Sequence, residues 1–246
     1  MRALVVLPSY NERANIVALI DAVLAVGPEV SVMLVDDSSP DGTADVVRDA
    51  IAERPSFRDR VELVVRPGKG GRGGAVREGF ARGIARTPAY QAFVEMDCDF
   101  SHQPQAIPEG LARLQRGFDV VIGARYPDGT IAGWPLRRRV FSFFANSLAR
   151  LLIEPSIADY TNGFRFYSPR AIEVLVAHRQ QHTGYIYLSE SLAHLLRAGM
   201  RVDSFPIHFE NRQRGVSNTT AAEILSSLRG VLAIARDHRR ARHAGG

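Results

Sequence analysis

Residues 91–99 read QAFVEMDCD, a short apolar run that ends in two aspartates, Asp97 and Asp99, separated by one residue. An apolar run without polar alternation is typical of a strand that helices cover on both faces of a parallel sheet. Similar runs recur in the first half of the chain, and the predicted strands span residues 3–7, 30–35, 61–65, 92–96 and 120–122. Helical patterns lie between them, so the sequence predicts an α/β fold with a mainly parallel central sheet and helices on both faces.

Three predicted helices follow the first strands. The first has apolar residues at helical spacing over residues 16–24, with Asn11 or Asn15 as its cap. The second begins after SSPDGT at residues 38–43, with Thr43 as its cap. The third follows the glycine-rich stretch GKGGRGG at residues 68–74.

The pattern changes after Tyr126, where residues 127–135 predict a loop and residues 137–153 (RRRVFSFFANSLARLLI) predict a basic, very apolar helix. One stripe of that helix consists of Val140, Phe144, Leu148 and Leu151. A loop entering a strand is predicted over residues 159–167, a helix over 188–197 and a strand over 202–209. A last amphipathic helix would carry Ile224, Leu225, Leu228, Val231, Leu232 and Ala235. We therefore predict one domain over residues 1–220, followed by this helix and a basic tail over residues 221–246.

Composition limits the class of protein. With 46% hydrophobic and 23% charged residues among 246, the chain matches an ordinary globular protein. Its single cysteine, Cys98, excludes an internal disulfide framework and fits a reducing compartment. A net charge of +5 favours anionic partners, but no helix-turn-helix, zinc finger or RNA-binding aromatic motif supports nucleic acid among them. Because no apolar run approaches the roughly 18 to 20 residues of a membrane span, we expect a cytoplasmic protein, at most peripheral to the membrane.

Polar side chains follow three of the predicted strands. Residues 8–12 read PSYNE, residues 36–39 read DDSS, and Asp97 and Asp99 follow the fourth strand. Ligands of open α/β sheets bind beyond the carboxyl ends of the strands, where these residues would meet. Two carboxylates at this spacing suit Mg²⁺ or Mn²⁺ that also binds substrate phosphates, although a solvated turn remains an alternative.

The glycine-rich stretch at residues 68–74 has neither the spacing of a P-loop nor that of a dinucleotide-binding fingerprint. Its glycines would allow a ligand to approach the backbone closely, and Lys69 and Arg72 would add positive charge. The alternative is a flexible hairpin.

Nine motifs occur together in one order along the chain. They are LPSYNE at residues 7–12, VDDSSPDGT at 35–43, GKGGRGGA at 68–75, MDCDFSHQP at 96–104, GARY at 123–126, WPLRRR at 134–139, DYTNGFR at 159–165, GYIYLSE at 184–190 and PIHFENR at 206–212. In these motifs the chain resembles the polyprenyl-phosphate (dolichyl-phosphate) mannose synthase branch of the family 2 glycosyltransferases. The resemblance runs from about residue 4 to residue 218.

The resemblance implies a GT-A, Rossmann-like fold and an inverting transfer of a sugar, mannose from GDP-mannose, to a polyprenyl phosphate. It implies Mg²⁺ or Mn²⁺ at Asp97 and Asp99, which together with Arg125 and Asp159 would form the catalytic group. The implied donor-binding residues are Pro8, Tyr10, Asn11, Glu12, Asp37, Lys69, Gly71, Asp97 and Asp99. The implied acceptor-binding residues are Arg125, Arg138, Arg139, Ser142 and Arg212.

The residues themselves are compatible with two chemical classes of acceptor, a phosphate and a hydroxyl. A phosphate acceptor needs cations, and arginine suits phosphate because its planar guanidinium binds two oxygens at once. A hydroxyl acceptor on a small molecule or glycan would instead need a base, for which Asp159 is the candidate. The arginines at 137–139 would otherwise be a solvated helix start, and the apolar helix after them would contact either a lipid or the core.

Two further alternatives concern individual positions, and a third concerns the whole chain. Glu190 would contact sugar or simply pack. Where the family usually has Gly-x-Ser-Lys, this chain has GVSN, with Asn218 in place of the lysine and Arg72 or Arg214 as substitutes. A non-catalytic nucleotide-binding protein is the last alternative, although both aspartates of the pair are intact.

Overall fold

The computed structural model describes residues 1–182, 186–210, 230–236 and 240. Its main sheet has seven strands, in the order β3-β2-β1-β4-β7-β5-β8. They are β1 (Ala3–Ser9), β2 (Val30–Asp36), β3 (Val61–Val65), β4 (Ala92–Glu95), β5 (Val120–Ala124), β7 (Arg165–Tyr167) and β8 (Val202–Pro206). All of them except β7 run in one direction, because β7 pairs antiparallel with both β4 and β5.

Eight α-helices accompany this sheet in the described part of the chain, besides the helical residues 230–236. They are α1 (Ile16–Leu24), α2 (Thr43–Glu53), α3 (Pro55–Arg58), α4 (Arg72–Ile84), α5 (Ile107–Gln115), α6 (Leu136–Leu152), α7 (Pro169–Ala177) and α8 (Ile186–Arg197). A short second sheet pairs β6 (Thr130–Ala132) with β9 (His208–Glu210). None of these helices is both long and apolar enough to cross a bilayer.

The core lies on both faces of the main sheet. In β1, Ala3, Val5 and Leu7 pack with α1 on one face, whereas Leu4 and Val6 pack with α4 on the other. This alternation is the period-two pattern of a strand covered on both faces. The predicted mainly parallel sheet with helices on both faces is therefore confirmed.

Helix α4 packs unusually close to the sheet. A Cβ atom on Gly79 would lie 2.5 Å from a methyl carbon of Val6, and one on Gly83 would lie 2.4 Å from a methyl carbon of Leu4. Real Cβ atoms do not approach other atoms so closely, so only glycine fits at these two positions. The close contact fixes the start of α4 relative to the carboxyl ends of β1 and β4.

Several local predictions were wrong. The predicted strand over 202–209 is two strands in different sheets, because Ile207 between them bonds to Ala124 of β5 through its N–H and to Thr130 through its carbonyl. The predicted loop over 127–135 contains β6. Thr43 does not cap α2: Gly42 does, and the Thr43 hydroxyl instead accepts a hydrogen bond from the N–H of Glu12.

The predicted stripe of α6 is not a core stripe. Val140, Phe144 and Leu151 are exposed, and only Leu148 packs partly against the core. The helix is instead held by its buried Asn146, whose amide bonds to the backbone of Ala158 and Tyr160 at 2.8 Å each. The side of α6 that carries Val140, Phe144 and Leu151 therefore stays exposed. Leu136 and Phe143 of the same helix are exposed as well.

The C-terminal predictions are partly outside the described residues. Residues 230–236 are helical, and Val231 and Ala235 are buried as predicted, whereas Leu232 is exposed. Ile224, Leu225, Leu228, Arg214 and Asn218 lie outside the described residues, as does the predicted domain boundary near residue 220. The division into two segments stays a prediction.

Candidate active site

Unusual backbone geometry marks the carboxyl ends of three strands. Among the described residues, three that are not glycine have positive φ: Asn11 at 62° after β1, Ser38 at 53° after β2 and Phe100 at 61° after β4. Such conformations cost about 1–3 kcal/mol each and cluster at functional sites. All three lie at the strand ends where the sequence predicts the candidate site. Their positive φ angles could not be predicted from the sequence pattern.

The loops after β1 and β2 are tied together. The N–H of Asn11 donates to the Ser39 hydroxyl at 2.9 Å. Buried Asp36 accepts from Ser9 at 2.6 Å and from the N–H of Ser39 at 2.8 Å. Asp36 therefore joins the end of β1 to the loop after β2.

The glycine-rich stretch lies against both of these loops. Asp37 accepts hydrogen bonds from the N–H groups of Gly70 at 3.0 Å and Gly71 at 2.8 Å, and it pairs with Arg66 at 2.5 Å. Gly71 has φ +79° and immediately precedes α4, so it supplies a turn that side chains rarely allow. The Lys69 ammonium lies 4.1 Å from the centre of the Tyr10 ring, a cation–π contact.

The predicted donor-binding residues therefore surround one edge of the sheet. Pro8 joins them, because its carbonyl lies 3.3 Å from the Cys98 sulfur between the two aspartates of the pair. The pKa of Cys98 is raised well above its usual range by burial and then by the carboxylates of Glu12 and Asp99. The carboxylates of Glu12, after β1, and Asp99, after β4, thus both lie near Cys98, while their role in binding a donor stays a prediction.

Asp97 and Asp99 lie at the end of β4 in different surroundings. Asp99 is buried, and its carboxylate accepts from the N–H of Ser101 at 3.0 Å. Asp97 is more exposed and pairs with the guanidinium of Arg72, which also bonds to buried Glu95 at 2.7 Å. Burial raises the pKa of Glu95, although the Arg72 guanidinium opposes that effect.

These carboxylates fit a divalent cation. Among the described residues no group of three or more His, Cys, Asp or Glu side chains is arranged to hold a metal. The protein ligands would therefore be the two aspartates, with phosphate oxygens completing the shell, as hard cations prefer. Asp97 is at present paired with one cation, the guanidinium of Arg72.

A buried histidine that sequence reasoning missed supports the aspartate pair. His102 Nδ1 accepts from the N–H of Asp97 at 3.2 Å, so its proton is on Nε2, 2.8 Å from the Asn162 side-chain oxygen. Burial lowers the pKa of His102 to about 4, which keeps the ring neutral. His102 belongs to the motif at residues 96–104 and Asn162 to the motif at residues 159–165. These motifs are distant in the sequence and meet only in the folded chain.

Asp159 and Arg125 form a buried ion pair. Three hydrogen bonds from Arg125 reach the Asp159 carboxylate at 2.8 to 3.1 Å. Three more come from the N–H and hydroxyl of Thr161 and the N–H of Asn162, at 3.0 to 3.2 Å. Burial raises the pKa of Asp159, but the Arg125 guanidinium and these hydrogen bonds outweigh it, so the pKa lies below its usual range. A carboxylate this stabilised as an anion is a poor general base.

The predicted acceptor residues are only partly brought together. Arg125 is buried, and its guanidinium lies 5.5 Å from the ring centres of both Trp134 and Phe209. The Arg138 guanidinium also lies over the Trp134 ring, 4.0 Å from its centre. Arg139 is exposed on α6 and Ser142 is half-buried one turn further on, while Arg212 lies outside the described residues.

Glu190 has a clear structural role. Its carboxylate accepts from His178 at 3.1 Å, from His182 at 3.0 Å and from the N–H groups of Gln181 and His182. It therefore holds the segment after α7, which favours the packing alternative over a sugar contact.

The family model that matches this chain is glycosyl transferase family 2, over residues 4–176. The chain belongs to this family. Among curated family 2 relatives, the polyprenol monophosphomannose synthase of Mycolicibacterium smegmatis is 36% identical over 92% of this chain and 84% of its own length. The undecaprenyl-phosphate mannosyltransferase of Micrococcus luteus is 34% identical over 88% of this chain and 87% of its own.

A solved structure agrees with the fold. Glucosyl-3-phosphoglycerate synthase of Mycobacterium tuberculosis, in complex with Mn²⁺, uridine diphosphate and glucosyl-3-phosphoglycerate, superposes with a TM-score of 0.65. The match covers 96% of this chain and 79% of that one at 21% identity. The GT-A fold expected of a family 2 enzyme is thus confirmed.

Proposed function

We propose that this family 2 enzyme transfers mannose from GDP-mannose to a polyprenyl phosphate, with inversion and with Mg²⁺ or Mn²⁺ at Asp97 and Asp99. The names of the two curated relatives support the sugar and the acceptor class. The observation that carries the proposal is the state of Asp159. Because its carboxylate receives six hydrogen bonds, it is a poor base for a hydroxyl acceptor.

A phosphate acceptor needs no base because it is already an anion. One of its oxygens bonds to the anomeric carbon while the bond from that carbon to the diphosphate oxygen breaks, and the nucleoside diphosphate leaves with the electron pair. When bound, the metal ion would neutralise the leaving diphosphate. The chain's own part is to hold the donor at the glycine-rich stretch and the acceptor phosphate near Arg138 and Arg139.

The exposed face of α6 supports a lipid acceptor. Phe143 is 53% exposed and Phe144 is 65% exposed, on the helix that carries Arg138 and Arg139. Apolar side chains beside arginines are typical of helices that lie at the surface of an anionic membrane. We therefore propose that this face contacts the membrane while the arginines receive the phosphate.

The test is a transfer assay with matched acceptors. The full chain is incubated with labelled GDP-mannose, other labelled nucleotide sugars and Mg²⁺ or Mn²⁺, and with either a short polyprenyl phosphate or the same polyprenol without phosphate. We expect lipid-extractable mannose only with the polyprenyl phosphate. The anomeric configuration of the transferred mannose should be opposite to that in GDP-mannose. Transfer to an alcohol with none to polyprenyl phosphate would refute the proposal.

A further inference from the structure

We infer that Arg72 is a positioning residue that competes with the divalent ion for Asp97 and thereby couples metal binding to binding of the donor's diphosphate. The inference rests on the proposed function, because it takes the metal to bind at Asp97 and Asp99. From the sequence, Arg72 was expected to add positive charge beside the glycines and was one of two candidates to replace the lysine absent at Asn218.

The position of Arg72 is fixed by the fold. It is the first residue of α4, directly after the Gly71 turn, and close packing of Gly79 and Gly83 on β1 holds that helix in place. Its guanidinium bonds to Glu95 at 2.7 Å and to Asp97, and the side chain is only 14% exposed. The guanidinium therefore lies inside the site and neutralises a carboxylate that the metal would use.

The chain leaves space for this guanidinium. A Cβ atom on Gly163 would lie 2.2 Å from Arg72 Nη2, so any larger residue would displace it. The carbonyl of Gly163 also accepts from Nη2 at 3.3 Å. Gly163 lies between Asp159 and β7. Its neighbour Asn162 in the same segment contacts His102 and Asp159.

One donor of Arg72 is not yet satisfied. Within the described residues, its buried Nε makes no hydrogen bond. Buried donors are nearly always paired, so an unpaired one points to a ligand or a rearrangement. A diphosphate oxygen is an acceptor of the right charge for a guanidinium.

These contacts predict coupling in one direction. A divalent ion that binds alone at Asp97 would compete with Arg72 for the carboxylate and would place two cations side by side. With a nucleoside diphosphate present, the displaced guanidinium gains an anionic partner, while its bond to Glu95 keeps it in the site. Metal and diphosphate should therefore bind more tightly together than separately, which defines a coupling free energy.

The experiment measures Mn²⁺ binding directly, from the electron paramagnetic resonance signal of free Mn²⁺, in the full chain with and without GDP. Arg72→Gln should bind Mn²⁺ alone about 10-fold more tightly than the native chain and should lose most of the enhancement by GDP, within the usual 5- to 150-fold range of coupling. Arg72→Lys keeps the positive charge but loses the planar guanidinium, and its Mn²⁺ affinity should lie between those of the native chain and Arg72→Gln. Arg82→Gln removes the same charge from an exposed position of α4 and should leave both affinities unchanged.

A second variant guards against misfolding. Arg72→Gln leaves buried Glu95 without its main partner, so the double variant Arg72→Gln/Glu95→Gln removes both charges and should show the same gain in Mn²⁺ affinity. Asp97→Asn tests the site itself. If it leaves Mn²⁺ binding unchanged, the metal site of the proposed function is wrong. If Asp97→Asn abolishes binding but both Arg72→Gln variants keep native affinity and native enhancement by GDP, only the role of Arg72 is wrong.

Discussion

The buried pair of Asp159 and Arg125 gives the sharpest prediction about this chain. Asp159→Ala removes six hydrogen bonds and leaves a guanidinium that is only 5% exposed without its carboxylate. Breaking a buried pair on one side costs about 3–5 kcal/mol, because the remaining charge stays buried. For a chain of this length that loss lowers the melting temperature by roughly 10 °C. Urea unfolding followed by circular dichroism measures the change.

Two control variants separate this pair from ordinary ion pairs. Asp203→Asn breaks the pair with Arg113 at 2.7 Å, whose side chains are 25% and 22% exposed, and it should cost less than about 1 kcal/mol. The double variant Arg125→Met/Asp159→Leu should recover most of the lost stability, because apolar residues of similar volume replace buried pairs well. A loss below about 1 kcal/mol for Asp159→Ala, or no recovery in the double variant, would contradict the assignment of Asp159 as a structural anion.

Three further predictions concern other parts of the chain. Phe143→Ser/Phe144→Ser should reduce co-sedimentation with anionic vesicles at least several-fold at unchanged melting temperature, because both side chains are exposed; unchanged sedimentation would refute the membrane face. Asp97→Asn should lower transfer at least 100-fold while circular dichroism stays native, and near-native turnover would remove Asp97 from the site. Glu190→Gln should destabilise the chain by about 1–3 kcal/mol at pH 7, because two histidines and two N–H groups lose a charged acceptor. The folded pKa of Glu190 is lowered despite burial, so this difference should persist above the usual value of 4.5 and shrink as pH falls below it; a penalty independent of pH would contradict the reading.

The main sheet was predictable because its signal is local. Strands β1, β2, β4 and β5 are buried and largely apolar runs, and the polar residues after β1, β2 and β4 meet at one edge because the carboxyl ends of parallel strands do so. The antiparallel direction of β7 and the pairing of β6 with β9 depend on contacts between distant segments, which no local pattern records. Short strands of three residues carry too few side chains to show a period.

The position of the candidate site at the ends of β1, β2 and β4 was predictable, whereas the contacts within it were not. Asp97 and Asp99 follow from the strand before them, whereas Arg72 reaches Asp97 only because α4 packs on two glycines. Helix α6 shows the opposite case: hydrophobicity revealed an apolar face, but whether that face meets the core depends on Asn146 and its partners. The donor and acceptor roles of the individual residues stay predictions.

The hydrogen bonds through His102 have a fixed direction. They run from the N–H of Asp97 through His102 to Asn162, whose own N–H donates to Asp159. Protonation of the imidazole would place two donors face to face at Asp97, which is an orientation that repels. Since burial lowers the pKa of His102 to about 4, the ring is neutral near pH 7, and only acid near or below that pKa would protonate it and break the hydrogen bond from Asp97. The hydrogen bonds from Asp97 through His102 to Asn162 therefore keep one direction near neutral pH.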